Sequence, residues 1–313
     1  MSIITLFSDS HCHGGDTATQ IARQLGYRLV TDADLVELAD DRMTPSQLLD
    51  ALTGPPPPHG EVTREKILGL AHLRQALAAA MQEDDLVYHG LGAQLVSQPL
   101  AHHLRIGLSA PRSHRLAWAT AEQGWSAETA EDRLRADDAR REWLTRHLHG
   151  RARFDWRLYD LLFSTSRTDL KTAVNIVVAL TAFPEVRSTD ESSPAARDFG
   201  VTARVGAYFT ELGHDADVTC VRGHAHILVD KESSLQPQLA AELRRLALTV
   251  DGVAAATVKA GPRHRARRGA RDLTQDARVP SPHLAPRPGQ PKQHTVRGSA
   301  PGPAVQHEGS HLA

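Results

Sequence analysis

The 313 residues predict an α/β protein: a mainly parallel sheet of five strands, followed by a smaller α/β unit. Three observations carry this expectation. Short apolar runs alternate with helical patterns over the first 185 residues, an order that implies βαβ units. The runs close on glycine, serine or other small polar residues, where a chain turns into its next element. A polar stretch at 189–194 then separates this half from a second, shorter alternation.

The elements follow in order. Ile3 to Phe7 is an apolar run with strand character. Ala18, Ile21, Ala22 and Leu25 recur at helical spacing and stop at Gly26. Tyr27 to Val30 is a second strand, and Asp32 is placed to cap the helix after it. Pro45 to Leu52 reads as a helix ending at Gly54, and Pro55 to Pro58 as a rigid extended spacer. Ile67, Leu70, Leu73, Leu77 and Met81 mark a long helix from Thr63 to Gln82. Leu86 to His89 is a third strand broken by Gly90, and Leu104 to Leu108 a fourth, with Pro111 in the first turn of the next helix. Ser126 caps a helix running through Leu148. Tyr159 to Ser164 is the fifth strand, and Asp169 to Leu180 closes this half as a helix.

The second unit, 195–260, reads helix (Val201 to Leu212), strand (Asp217 to Val221), a turn at Arg222-Gly223, strand (Ala225 to Val229), helix (Leu235 to Leu248) and strand (Ala255 to Val258). From 261 to 313 the composition changes to Pro, Gly, Arg, His and Ser, with nine Lys or Arg against three Asp or Glu. That tail has too little apolar content to fold and is expected to be a disordered basic segment.

Composition excludes several classes. Aromatics are 4% of the chain and the formal net charge is -1, which argues against a base-stacking surface or a polyanion binder, so no specific nucleic-acid binding is expected. The two cysteines, Cys12 and Cys220, stand far apart and form no disulfide framework. No apolar run reaches bilayer length, and the opening run is short and without a basic flank. A cytoplasmic location is the expectation.

The chemistry concentrates between the first strand and the first helix: Ser8-Asp-Ser-His-Cys-His-Gly-Gly-Asp-Thr17. A strand, a small-residue loop and a helix N-terminus form the frame of a phosphate cradle, in which backbone N–H groups face phosphate oxygens. Against G-x-x-x-x-G-K-[ST], Ser10 stands at the first glycine, Gly15 at the second, Asp16 at the lysine and Thr17 at the hydroxyl position. The frame is kept, with the charge reversed where a lysine would neutralise phosphate. The same stretch supports a rival reading. His11 and His13, alternate residues after a strand, resemble the strand-end His-x-His of barrel-type metal hydrolases. The plain alternative is two polar loop histidines, with no metal bound.

Several segments, in this order and spacing, resemble the cytidylate-kinase-like family of P-loop nucleoside monophosphate kinases: the opening strand with Gly14-Gly15, Asp85-Leu-Val-Tyr-His-Gly90, Leu104-Arg-Ile-Gly-Leu-Ser-Ala-Pro111 with Arg115 beyond it, Asp137-Asp-Ala-Arg140-Arg141-Glu-Trp143, and Phe154-Asp-Trp-Arg-Leu-Tyr159. The resemblance spans 1–185, with 186–194 as linker. It implies a five-stranded parallel sheet with helices on both faces and a nucleotide site at the C-terminal strand ends. It implies Ser10, His13, Gly14, Gly15, Asp16, Thr17, Gly90 and Arg115 as nucleotide-binding positions. Asp137, Arg140 and Arg141 would be the lid residues that act on the transferring phosphate. ATP, Mg²⁺ and a pyrimidine monophosphate are the implied cofactors and ligands. The arginine that holds the monophosphate in cytidylate kinases is Leu91 here. Exposed ion pairs one helical turn apart would explain Asp137 with Arg140, and Asp138 with Arg141, equally well. Residues 195–260 resemble a BON-type module, which implies a protein or lipid surface as partner.

Three functions follow: a nucleotide kinase impaired by Asp16, a non-catalytic nucleotide-sensing or interaction protein acting through the second unit, and the metal hydrolase. Losing one preorganised donor at a transition state typically costs about 3 kcal/mol, and an aspartate adds repulsion.

Overall fold

A computed structural model describes residues 2–57, 62–83, 85–96, 100, 102–187, 189, 193–230 and 236–261. The basic tail beyond Gly261 lies outside the described residues, as do Pro58 of the proline spacer and residues 188 and 190–192 of the expected linker.

The first sheet is formed by β1 (Ile3–Ser8), β2 (Arg28–Thr31), β3 (Leu86–His89), β4 (His103–Ser109) and β5 (Leu161–Ser164). Their order is β2-β3-β1-β4-β5, and every pairing is parallel. The helices of this half are α1 (Gly14–Leu25), α2 (Asp32–Leu38), α3 (Pro45–Thr53), α4 (Arg64–Ala80), α5 (Arg112–Gln123), α6 (Ala127–His149) and α7 (Leu170–Thr181). All six residues of β1 are buried, as a central strand covered on both faces requires. Ile4, Leu6 and Val87 pack with Ile21 of α1 and Val174 and Val177 of α7. Ile3, Phe7 and Leu86 point the other way, into a core with Leu73 and Leu77 of α4 and Leu144 of α6. The expected five-stranded sheet with helices on both faces is therefore present.

Most boundaries fall within two residues of the sequence reading, and the exceptions have local causes. Thr31, not Asp32, caps α2: its hydroxyl accepts from the Asp34 amide, and Asp34 returns the bond to Thr31. Asp32 is released to bind elsewhere. Pro111 stands at the N-cap of α5, one residue before the first turn. β5 begins at Leu161 because Tyr159 turns into the core, where its hydroxyl accepts from Gln94 Nε2 (2.9 Å) and donates to the Arg153 carbonyl.

The second sheet has the order β6-β7-β8, from β6 (Ala216–Val221), β7 (His224–Asp230) and β8 (Ala255–Gly261). The β6–β7 turn places Arg222 and Gly223 at φ 50° and 73°, the left-handed pair a tight hairpin needs. Asp198 accepts both of their amides, at 2.7 and 3.2 Å. Helices α8 (Ser193–Glu211) and α9 (Pro237–Ala247) cover one face, with Val205, Phe209, Ile227 and Leu243 in the core. Helix α8 begins inside the stretch expected to be linker. Its early residues Ala196, Phe199 and Ala203 recur at helical spacing, and Phe199 and Ala203 join the core around α4. No helix among the described residues is long and apolar enough to cross a membrane.

Candidate functional site

β1 has β3 on one side and β4 on the other, so the chain direction around the sheet reverses at its C-terminal end. That is where open α/β sheets leave a crevice for ligands. Ser8 ends the strand, a turn follows, and α1 starts at Gly14. The turn is bent at His11 (φ 53°) and His13 (φ 62°), a left-handed conformation uncommon for side-chain-bearing residues. Ring contacts hold it. His11 lies 5.6 Å from Trp118 and 5.4 Å from Trp125, and His13 is edge-on to Trp118 at 4.9 Å. Thr17 donates from its hydroxyl to the His13 carbonyl at 2.7 Å, within the first turn. A Cβ at Gly14 would stand 2.2 Å from Ser8 Oγ and 2.7 Å from His89 Nε2. Glycine therefore lets α1 start directly against β1 and β3. Cys12 points inward, its Sγ 2.9 Å from the Asp9 carbonyl, and burial pushes the thiol up to about 12, so it packs rather than reacts.

The turn rests on an ion network with Arg115 and Asp9 buried at its centre. Arg115, 1% exposed, donates from Nε to the Ser10 carbonyl (2.9 Å) and from Nη2 to Ser10 Oγ (3.2 Å). It also pairs with Asp138 at 2.7 Å and Asp9 at 3.5 Å. Arg153 reaches Asp138 at 2.7 Å and Asp9 at 3.3 Å, and Arg112 binds Glu131 at 2.8 Å. Burial pushes the Asp9 carboxyl up despite the two guanidinium groups beside it. Burial acts the same way on Asp138, but bonds from Arg115 and Arg153 bring that carboxyl below its ordinary value. Arg115, which the resemblance implied as a nucleotide-binding position, is buried and lines neither of the two clefts described below. It shapes the turn from beneath, and Ser10 serves as its acceptor.

Above the turn stands α6. Arg141 donates from Nε to the Ser8 carbonyl at 2.8 Å and pairs with Asp137 at 2.7 Å. Arg140 pairs with the same Asp137 oxygen at 2.9 Å. The expected pairing of Asp138 with Arg141 is absent among the described contacts, because Asp138 is drawn to the three arginines below. Burial would raise the Asp137 carboxyl, yet Arg141 and Arg140 hold it below its ordinary value. Two clefts flank this group. One, about 420 Å³, is walled by Ser8, Asp32, His89 and Gly90; the other, about 390 Å³, by Ser10, His11, Trp125 and Arg133. Asp137, Arg140 and Arg141 line both.

The turn residues and the α6 arginines lie together, and they rest on supports that the sequence did not single out. Asp32 accepts from the Leu91 and Gly92 amides (2.8 and 3.0 Å) and from the Tyr88 hydroxyl (2.5 Å), fixing the backbone after β3. Gly90, at φ 151°, is needed there, since a Cβ would meet Asp32 Oδ1 at 2.3 Å. The signal for Asp32 was its place just beyond β2, at the C-terminal ends of the parallel strands. Arg153 gave none, because its partners lie on other elements. Asp16 is 64% exposed, its carboxylate 3.4 Å from His13 Nδ1 of the same turn, and it is not among the residues lining either cleft.

Among the described residues there is no group of three or more His, Cys, Asp or Glu able to hold a metal. The sheet is open, with β2 and β5 as edges, so the barrel frame of the hydrolase reading is not there. Mg²⁺ takes oxygen ligands and needs only one or two carboxylates beside phosphate oxygens. Asp137 Oδ2, buried and with no hydrogen-bond partner among the described residues, fits that requirement. Thr17, back-bonded and 1% exposed, does not.

A doubly wound parallel sheet, with a small-residue turn at its central strand and an arginine-bearing helix above, defines a P-loop kinase-like protein. Residues 3–167 match the family model described as cytidylate kinase-like, and the chain belongs to that family. No curated protein matches the chain. Similar solved structures include an uncharacterized protein from Eubacterium ventriosum ATCC 27560, at 15% identity and TM-score 0.45, covering 58% of this chain and 98% of that one. A shikimate kinase from Acinetobacter baumannii in complex with shikimate is 12% identical with TM-score 0.35, covering 57% and 92%. A dephospho-CoA kinase from Campylobacter jejuni is 13% identical with TM-score 0.28, covering 57% and 97%.

Proposed function

We propose that this chain binds ATP and a nucleoside monophosphate on either side of Arg140 and Arg141, and transfers phosphate between them slowly. The observation that carries the reading is the sharing of Asp137, Arg140 and Arg141 by two clefts at the C-terminal edge of the sheet. Phosphoryl transfer is mainly positioning and charge neutralisation, and a guanidinium fork suits both. The monophosphate belongs in the cleft walled by Ser8, His89 and Gly90, and the triphosphate along the turn from Ser10 to Thr17. Arg140 and Arg141 hold the transferring group between them. Asp137 Oδ2 and the phosphate oxygens would hold Mg²⁺, which supplies charge neutralisation when bound. Asp16 at the lysine position keeps the rate low.

A non-catalytic role, nucleotide sensing or an interaction made through 195–260 as a BON-like unit, is favoured by one specific observation. Arg112, Arg115 and Arg153 are all committed to carboxylates within the protein rather than open to a ligand. Titration calorimetry with ATP, CMP and Mg²⁺, followed by a phosphoryl-transfer assay, separates the two. We expect binding of both nucleotides, with transfer at least about 10²-fold slower than in the Asp16→Lys variant, the scale of one lost transition-state donor. Binding without transfer in either protein selects the sensing role. Absence of any nucleotide binding removes the family reading of the site.

A further inference from the structure

We propose that Arg141, delivered from α6, supplies the phosphate-facing positive charge that a lysine supplies at the seventh position of the G-x-x-x-x-G-K-[ST] turn. This rests on the nucleotide reading above and names the group on which that reading depends.

Four observations lead to Arg141 rather than to another cation. It is bonded to the turn itself, through Nε and the Ser8 carbonyl at 2.8 Å, where β1 ends. It lines both clefts, so a phosphate in either meets the same guanidinium. The competing arginines are taken: Arg115 and Arg153 lie between Asp9 and Asp138, and Arg112 binds Glu131. Arg140 also lines both clefts and pairs with the same Asp137 oxygen, but among the described contacts only Arg141 of the two is bonded to the turn. Asp16 supplies no cation there: its carboxylate is exposed, stands 3.4 Å from His13 Nδ1, and is not among the residues lining either cleft, whereas Arg141 lines both.

The charge of Arg141 is felt across the turn. Burial is the main cause of the lowered proton affinity of His89, on β3, and of His11, in the turn. Arg141 lowers both further, and so bears on groups in each cleft wall. Asp137 shares one oxygen between Arg140 and Arg141, so the three together keep one net positive charge when ionised. A lysine within the turn would be a permanent fixture of the strand–turn–helix unit. An arginine on α6 is present only while α6 is docked. The Asp138 pairs with Arg115 and Arg153 dock it, which gives that buried network a role in ligand binding as well as in stability.

The test is a double-mutant cycle with ATP–Mg²⁺ and inorganic tripolyphosphate as probes, read by calorimetry. The proteins are the full chain, Asp16→Lys, Arg141→Gln, the double variant, and Arg141→Lys. Thermal melts establish that each is folded. Arg141→Gln is expected to weaken both probes by about tenfold or more, the scale of a lost charge-assisted bond. Arg141→Lys, which keeps a point charge, is expected to recover most of that loss. In the Asp16→Lys background the same Gln substitution should cost under about threefold, because the turn again carries its own cation. Equal losses in both backgrounds would show an independent lid contact and overturn the proposal. So would a loss confined to ATP, with tripolyphosphate unaffected. If the full chain binds neither probe, the nucleotide reading fails along with this one.

Discussion

His149 shows how a single side chain ties this protein to pH. It ends α6 with its ring nitrogen 2.8 Å from the Gln94 carbonyl, and burial pushes its proton affinity down to about 4. The folded chain then refuses a proton that the unfolded chain accepts near pH 6.5. Stability therefore rises with pH between about 4 and 6.5 and is lost as pH falls through that window, by an amount on the order of 3 kcal/mol. His103, pushed by burial to about 3, acts with the same sign. Urea midpoints at pH 7.5 and 4.5 should differ clearly in the natural chain and less in His149→Gln. An undiminished difference in the variant would assign the pH dependence to other groups. Asp16 makes a complementary point at the same scale. Its identity speaks against a phosphate cradle, and its 64% exposure lets solvent screen the charge without replacing the missing cation.

At the scale of elements, the start of α1 decides whether the turn has its shape. Gly14 brings the helix against Ser8 and His89, and no side chain fits between them. Gly14→Ala is expected to push the first turn away from β1 and β3, at about 1–3 kcal/mol of stability as in other overpacked sites. Nucleotide affinity should fall with it, since the amides that would face phosphate move too. Gly15→Ala is the control, because a Cβ there meets only His89 Cε1 at 3.9 Å. Equal losses in denaturation midpoint for both variants would show a general helix-start effect instead. Helix α6 is the second deciding element. It carries Asp137 and Arg141 to the top of the turn and Asp138 to the network beneath, so one helix both closes and braces the site.

At the scale of the molecule, α8 belongs to two cores. Phe199 and Ala203 pack with α4 beside the first sheet, and Val205 and Phe209 pack under the second. Glu211, at the other end of α8, pairs with Arg42 and takes a bond from Arg64 Nη2 to its carbonyl at 2.9 Å. Phe199 is fully buried, so Phe199→Ala should cost about 3–5 kcal/mol. Hydrogen exchange in β1 and β3 should speed up together with that in β6 and β7. Acceleration confined to one sheet would mean the two unfold independently.

The order of strands and helices, the turn between β1 and α1, and the arginines on α6 were all legible in the chain. These follow from apolar periodicity, caps and short-range spacing, which act between residues close in the chain. It also carried the family, because several such segments recur in one order. Only the folded chain shows that Arg115 lies under the turn, that Asp138 serves three arginines from distant segments, and that Asp16 is exposed beside His13. It likewise shows that α8 is shared between the two cores. A charge at a given position has the same sign whichever way it points. Its effect on a phosphate depends on direction, burial and partners, and those are set only once the chain has brought residues a hundred positions apart into contact.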